Sequence, residues 1–252
     1  MKQKNLSIAF AFLLLLLYFS LIASAFTYFD TSEFFNSITS KRSLFSIKLS
    51  LVSASLATVL AMLIAIPAGY GLARYKFFGW ELIDISLELP LIISPAALGA
   101  MLLIFFSTES GIWFQEHVLQ IVYTFWGIVI AQFVTILGIA TRMVKTTLGQ
   151  IPERLEQVAS TLGASPRQVF FTITLPLARQ GLFSASILTW AKSFGEFGAT
   201  FTLAGTMAMK TETIPTSVFM KLSNADIQGS VAMIMVLISM GISLLALARI
   251  KF

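Results

Sequence analysis

Lys192 and Glu196 place two opposite charges inside the otherwise apolar stretch 181–204. Charges in such surroundings are costly, and they usually face a bundle interior or an aqueous cavity. At i, i+4 the two share one helical face. Two readings stay open: mutual neutralisation at a helix contact, or a position beside a solute pathway. Ser193, Gly195, Gly198 and Thr200 surround them. The glycines permit close packing or flexing at a gate. Ser193, Thr200 and Thr202 offer hydroxyl donors, but hydroxyls in membrane helices commonly bond their own backbone.

Other constellations offer less. Glu81, Asp84 and Glu88 recur at i, i+3, i+7 and read as an interfacial or subunit-contact face, with metal binding a poor second. The one histidine, His117, leaves no H-E-x-x-H, and a lone loop histidine reads as solvated. With no cysteines, disulfides, thiolate metal sites and cysteine nucleophiles are excluded. No G-x-x-x-x-G-K-S/T loop is present to cradle a phosphate. The chain is therefore read as having no catalytic residues, no metal and no cofactor of its own.

The elements that must position these residues are set by composition. Of 252 residues, 57% are hydrophobic and 12% charged, about half the roughly 25% charge of a soluble domain. Mean hydropathy is +0.86. That excludes an ordinary water-soluble enzyme and a disordered chain. Five uncharged stretches, Leu6–Phe29, Leu49–Ala73, Leu89–Thr108, Val118–Thr141 and Ile227–Ala248, are 20 to 25 residues long. Each is long enough to cross a hydrocarbon core about 30 Å thick as a helix. The stretch 181–204, interrupted by Lys192 and Glu196, is counted with them. The expectation is one all-α polytopic membrane domain, 1–252, of six transmembrane helices.

Basic residues give the orientation. With the amino terminus inside, eleven fall on one side: Lys2, Lys4, Arg74, Lys76, Arg142, Lys145, Arg154, Arg167, Arg179, Arg249 and Lys251. Five, Lys41, Arg42, Lys48, Lys210 and Lys221, fall on the other. The positive-inside rule makes the richer side cytoplasmic, with both termini there. The net charge of +5 fits basic loops on one side better than nucleic-acid binding. Ala23-Ser24-Ala25 resembles a secretory cleavage site, but the apolar run before it is longer than a signal core, so an uncleaved helix is expected.

The inner segment 142–180 is the only sizeable soluble-facing part of the chain. Pro152 suits the first position of a helix, and Glu153 and Glu156 sit in early turns where the helix dipole favours them. Leu155, Val158, Ala159 and Leu162 follow i, i+3, i+4, i+7. Gly163 suits the left-handed residue after a helix end. Ser165 and Pro166 read as N-cap and first position of a second short helix, lying at the membrane surface until Pro176. The stripe either packs on its own bundle or is a docking helix for a soluble partner.

At this loop the sequence resembles the permease subunits of ABC importers. Their signature is E-A-A, three residues, Gly, nine residues, then I-x-L-P. Here Gly163 is followed by nine residues and Ile173-Thr174-Leu175-Pro176. The E-A-A positions hold Gln157, Val158 and Ala159, with Glu156 one place early. Ile66-Pro67-Ala68-Gly69-Tyr70 and Leu72-Ala73-Arg74 are similar to the family's second span and following loop. The proline-rich third span is matched by Leu89-Pro90 through Gly99, with Ser94-Pro95 where members often carry two prolines. Ser193 through Thr200 is most like molybdate and tungstate permeases, and Thr213-Ile214-Pro215 also fits.

The resemblance implies a type I importer permease working as a two-fold pair with a second copy of itself. It implies two ATP-binding subunits, carrying ATP and magnesium, in the cytoplasm, and an external oxyanion-binding protein that delivers molybdate or tungstate. The coupling residues would be Glu153, Leu155, Glu156, Gln157, Val158, Ala159, Leu162 and Gly163. The pathway or gate residues would be Lys192, Ser193, Gly195, Glu196, Gly198 and Thr200. A bare carboxylate repels an anion, so Glu196 is expected to hold structure rather than bind cargo. Moving a dianion into an inside-negative cell costs roughly twice the 2.3 kcal/mol per charge per 100 mV, so an energy source is required. Sulfate or another oxyanion is the alternative cargo. A secondary transporter and a membrane-embedded enzyme are the alternative classes.

Overall fold

The computed structural model describes residues 2–250, with side chains placed for 5–32, 34–243 and 246. Among the inner cations counted above, the side chains of Lys2, Lys4 and Arg249 lie outside this set, and Lys251 lies outside the described residues. The elements in chain order are α1 (Lys2–Phe26), α2 (Thr31–Thr39), α3 (Lys41–Arg74), α4 (Trp80–Ser86), α5 (Leu89–Ile92), α6 (Pro95–Phe106) and α7 (Glu109–His117). They continue with α8 (Phe125–Gly149), α9 (Glu153–Thr161), α10 (Pro166–Val169), a π turn (Phe170–Thr174), α11 (Leu175–Phe194), α12 (Gly198–Ala204), α13 (Ile214–Ser223) and α14 (Ile227–Ile250).

α3, α8 and α11 form the centre. α3 turns Ala57, Ala61 and Ala65 toward Val129, Ile136, Ala140 and Val144 of α8. Small residues at helical spacing let the two backbones approach, and in lipid such packing substitutes for hydrophobic collapse. Gly69 continues the stripe: a Cβ there would stand 2.7 Å from Val144 Cγ1. The opposite face of α3, with Val59, Leu63 and Ile64, is exposed and apolar, as a lipid-facing surface must be. Ser40 caps the helix, accepting from the Ser43 amide at 3.2 Å. α3 therefore starts eight residues before the expected span.

The apolar stretches are largely helical, but they are not six straight rods: the expected fourth span, Val118–Thr141, is irregular over 118–124 and becomes helical only at Phe125. Among the described residues, three helices are long and apolar enough to cross a membrane: Asn5–Phe26, Lys41–Arg74 and Phe125–Gly149. The third expected span is bent by 111° between Ile92 and Pro95. Ser94 accepts from the Ala97 amide at 3.3 Å and Pro95 takes the first helical turn, so α6 starts afresh. The 181–204 stretch breaks between Phe194 and Gly198. The last stretch lies on α14, Ile227–Ile250.

The inner segment also differs from expectation. Residues 142–149 extend α8, because Arg142 and Lys145 find partners: Glu88 at 2.7 Å and Asp84 at 2.5 Å. Those carboxylates, read as a subunit-contact face, instead pair with the chain's own α8. The second short helix does not end at Pro176. It passes through the π turn, where the Leu175 amide donates to the Phe170 carbonyl, straight into α11. Proline clashes with the carbonyl four residues back, and the wider turn just upstream accommodates it. What remains separate is α9 and its two flanking loops.

Candidate functional site

α9 is built as its residues dictate, with one shift: Pro152 is the N-cap residue (φ −60°, ψ 123°) and Glu153 the first helical one. Gly163 takes φ +89°, a conformation that L side chains rarely adopt. Ser165 accepts from the Gln168 amide while the Gln168 side chain accepts from the Ser165 amide, a closed capping box. These stops leave α9 as an arm of nine residues set off from the bundle.

The arm has two faces. Leu155, Val158 and Leu162 are exposed, Leu162 at 83%. Glu153, Gln157 and Gly163 are exposed beside them. Ala159 is buried and Glu156 turns inward with it. The apolar stripe therefore does not pack on its own bundle. Only Ala159 of its four members does so.

Glu156 holds the arm in place. Arg74, at the end of α3, donates to Glu156 Oε1 from Nε at 3.0 Å and Nη2 at 2.8 Å. Nη2 also donates to the Ile151 carbonyl at 3.1 Å. Thr174, in the π turn, donates to Oε1 at 2.8 Å, and the Tyr70 hydroxyl reaches Oε2 at 3.3 Å. Both charged side chains are largely buried. Burial pushes the Glu156 carboxyl up, but the hydrogen bonds from Arg74 and Thr174 and the Arg74 charge outweigh it and hold the carboxyl below its ordinary value. An open cleft of about 460 Å³ lies between α9 and the end of α3, with Glu153, Gln157 and Ser160 on its rim.

The second candidate group surrounds the break between α11 and α12. The helix stops at Phe194, so Glu196 stands beyond it rather than on a shared helical face. Lys192 Nζ still lies 3.6 Å from Glu196 Oε2, an ion pair too long for a hydrogen bond. Glu196 is 1% exposed, and its Oε1 accepts from the Ala199 amide at 3.1 Å in the first turn of α12. The carboxylate thus satisfies a helix start. Lys192 is about half exposed.

The glycines of this break divide. A Cβ on Gly198 would stand 2.8 Å from the Ala96 amide, and one on Gly99 2.8 Å from Ala199 Cα. These two allow α12 to press on α6. Gly195 has no such neighbour, its nearest contact being the Ala191 carbonyl at 3.6 Å. Thr202 bonds back to the Gly198 carbonyl at 2.9 Å, as hydroxyls in membrane helices tend to. Ser193 and Thr200 do not: both are fully buried and their hydroxyls have no partner.

Sequence reasoning missed several residues that belong with these. Thr189 lies one turn before Ser193, and Gln132 lies on α8, against which both α11 and α12 pack. Each has a buried oxygen without a partner. Arg74, Tyr70 and Thr174 were legible only as parts of similar stretches, since nothing in linear spacing pairs Arg74 with Glu156. Arg42 and Glu212, 170 residues apart, close a two-pronged ion pair on the opposite side of the molecule.

Comparison with known proteins gives the family. A family model described as "Binding-protein-dependent transport system inner membrane component" matches residues 61–250. The molybdenum transport system permease protein ModB of Haemophilus influenzae is 36% identical over 177 residues, 69% of this chain and 77% of that protein. The sulfate transport system permease protein CysT of Escherichia coli is 29% identical over 241 residues, 95% of this chain and 87% of that protein. Among solved structures, a bacterial alginate ABC transporter in complex with its alginate-bound periplasmic protein aligns with a TM-score of 0.74 and 17% identity, over 97% of this chain and 93% of that one. The MetNI methionine ABC transporter aligns at 0.63 and 16% identity, over 82% and 94%. These two structures bear on the fold alone. The match across three quarters of the sequence, together with a relative above 30% identity, assigns the chain to the binding-protein-dependent transport system inner membrane components, the permease subunits of ABC importers.

Proposed function

We propose that the chain imports a tetrahedral oxyanion, molybdate or tungstate before sulfate, using ATP hydrolysed on separate cytoplasmic subunits. In this reading the ATPase docks on the outward face of α9 through Leu155, Val158 and Leu162, with Glu153, Gln157 and Gly163 alongside. Two copies of this chain form the pathway, two ATPase subunits with ATP and magnesium drive it, and an external binding protein delivers the anion. Both termini then lie in the cytoplasm.

The observation that carries the reading is the orientation of α9. Its large apolar residues are turned away from the bundle, and a helix held off the membrane domain with its apolar face outward is suited to lie in a partner's groove. The break at 195–197, with Ser193 and Thr200 beside it, supports a gate there. The 22-residue helix Asn5–Phe26 is not buried against the chain's own bundle, which leaves it free to face lipid or a second copy. The order of cargoes rests on the higher identity to the molybdenum permease. Sulfate stands second because the sulfate permease is matched over nearly the whole chain.

The test is uptake into cells lacking their own oxyanion importers but supplied with this chain, its ATPase and its binding protein. Labelled molybdate should enter, and tungstate should compete better than sulfate. Uptake of sulfate with no competition by molybdate would reverse the order.

A further inference from the structure

α3 carries a forked arginine near each end, and each fork reaches a glutamate far away in sequence. At 34 residues and 1.5 Å per residue, α3 is about 50 Å long, longer than the hydrocarbon core is thick. Its inner fork is Arg74 on Glu156 of α9. Its outer fork is Arg42 on Glu212, Nε to Oε2 at 2.6 Å and Nη2 to Oε1 at 2.7 Å. Glu212 belongs to the loop between α12 and α13, and α3 also grips the first residue after that loop: Ser50 accepts from the amide of Ile214, which opens α13, at 2.8 Å. Residues Thr211 through Ser217 are all buried.

The two forks differ in one respect. At the inner end both partners are largely out of water, Arg74 at 5% and Glu156 at 13% exposure. Separating them strands two charges, so the joint resists parting. At the outer end Glu212 is fully buried but Arg42 is 48% exposed. Arg42 can return to water at little cost, and Glu212 can follow only if its loop opens. Between the forks α3 is held against α8 by its alanine stripe, and Gly69 against Val144 continues that contact past Pro67.

We propose that α3 is the mechanical link between the docking helix and the outer mouth, with Arg74–Glu156 as its fixed inner joint and Arg42–Glu212 as its releasable outer latch. This rests on the reading of α9 as the ATPase docking arm. An ATPase that shifts α9 shifts Glu156, and α3 cannot stay behind without breaking a buried pair. Arg42 travels with α3 and leaves Glu212, the Ser50–Ile214 bond parts with it, and the 205–213 loop opens as its carboxylate takes up water. Glu156 and Glu212 are positioning residues, since neither needs to touch cargo or nucleotide.

The absence of cysteine makes the test clean. Thr211→Cys, fully buried beside Glu212 in the 205–213 loop, reports its opening by maleimide labelling of the intact transporter in nanodiscs. Labelling is compared without nucleotide and with magnesium and a non-hydrolysable ATP analogue. In the parent the nucleotide should raise the labelling rate several-fold. Glu156→Gln should abolish that response while the ATPase still co-purifies. Glu212→Gln should give fast labelling with or without nucleotide. If Glu156→Gln does not assemble, the swapped pair Arg74→Glu with Glu156→Arg takes its place and should restore the response that Arg74→Glu alone loses. A full nucleotide response in assembled Glu156→Gln, or no rescue by the swap, overturns the link while leaving docking intact. A parent that never binds an ATPase defeats the docking reading instead.

Discussion

Glu156 shows how one carboxylate can be misplaced by a motif and placed by its neighbours. By spacing it stands one position before the first E-A-A position. In the fold it is the residue that ties the arm to α3. Replacing it with glutamine should lower stability by about 2 kcal/mol, the scale of hydrogen bonds to a charged group, read as a drop in melting temperature in detergent. Its carboxyl is held below the ordinary value of 4.5. The pair therefore contributes its full stability above that value, and the contribution drains away as pH falls through the lowered one. The melting-temperature gap between wild type and Glu156→Gln should be constant above pH 4.5 and close only in stronger acid. A gap that closes between pH 7 and 5 would contradict the assignment. At the break, Gly198→Ala should cost about 1–3 kcal/mol by forcing α12 off α6, whereas Gly195→Ala, with no close neighbour, should melt like wild type.

At the scale of elements, the sequence was most legible where the signal is local. The six apolar stretches, the start of α9 after Pro152, the left-handed Gly163 and the cap at Ser165 follow from neighbours a few residues apart. What was not legible depended on distant partners. Uncharged runs end at Arg142, but α8 continues because Glu88 and Asp84 receive its cations. A run of apolar residues does not report a bend, so the corners at Ser94 and at 195–197, and the irregular segment 118–124 ahead of α8, were hidden inside stretches that looked like single spans. Nor does a 3.6-residue stripe say which way it faces: Leu155, Val158 and Leu162 point outward while Ala159 points in. That split makes a prediction for α9 as an element. Leu155→Asp should leave the melting temperature of the isolated chain unchanged and abolish ATPase binding, while Ala159→Asp should destabilise the arm itself. Equal destabilisation by both would mean that the outward face is packed in solution.

For the whole molecule, the chain is a transport permease and ATP hydrolysis is the work of separate subunits. The fold has the shape this division needs: a membrane domain around α3, α8 and α11, an arm on one side, and a buried, gripped loop on the other. The buried, unpartnered hydroxyls of Thr189, Ser193 and Thr200 lie on two helices packed on α8. The central claim is that α9 is where energy enters. It is tested most directly by native mass spectrometry of the tagged chain, gently extracted from its own host, beside its Leu155→Asp variant. The wild type should fly as two copies of the chain with two copies of an ATPase, and the variant as the chain without it. The chain appearing without any ATPase despite preserved membrane assembly, or the variant retaining the ATPase in full, would contradict the account.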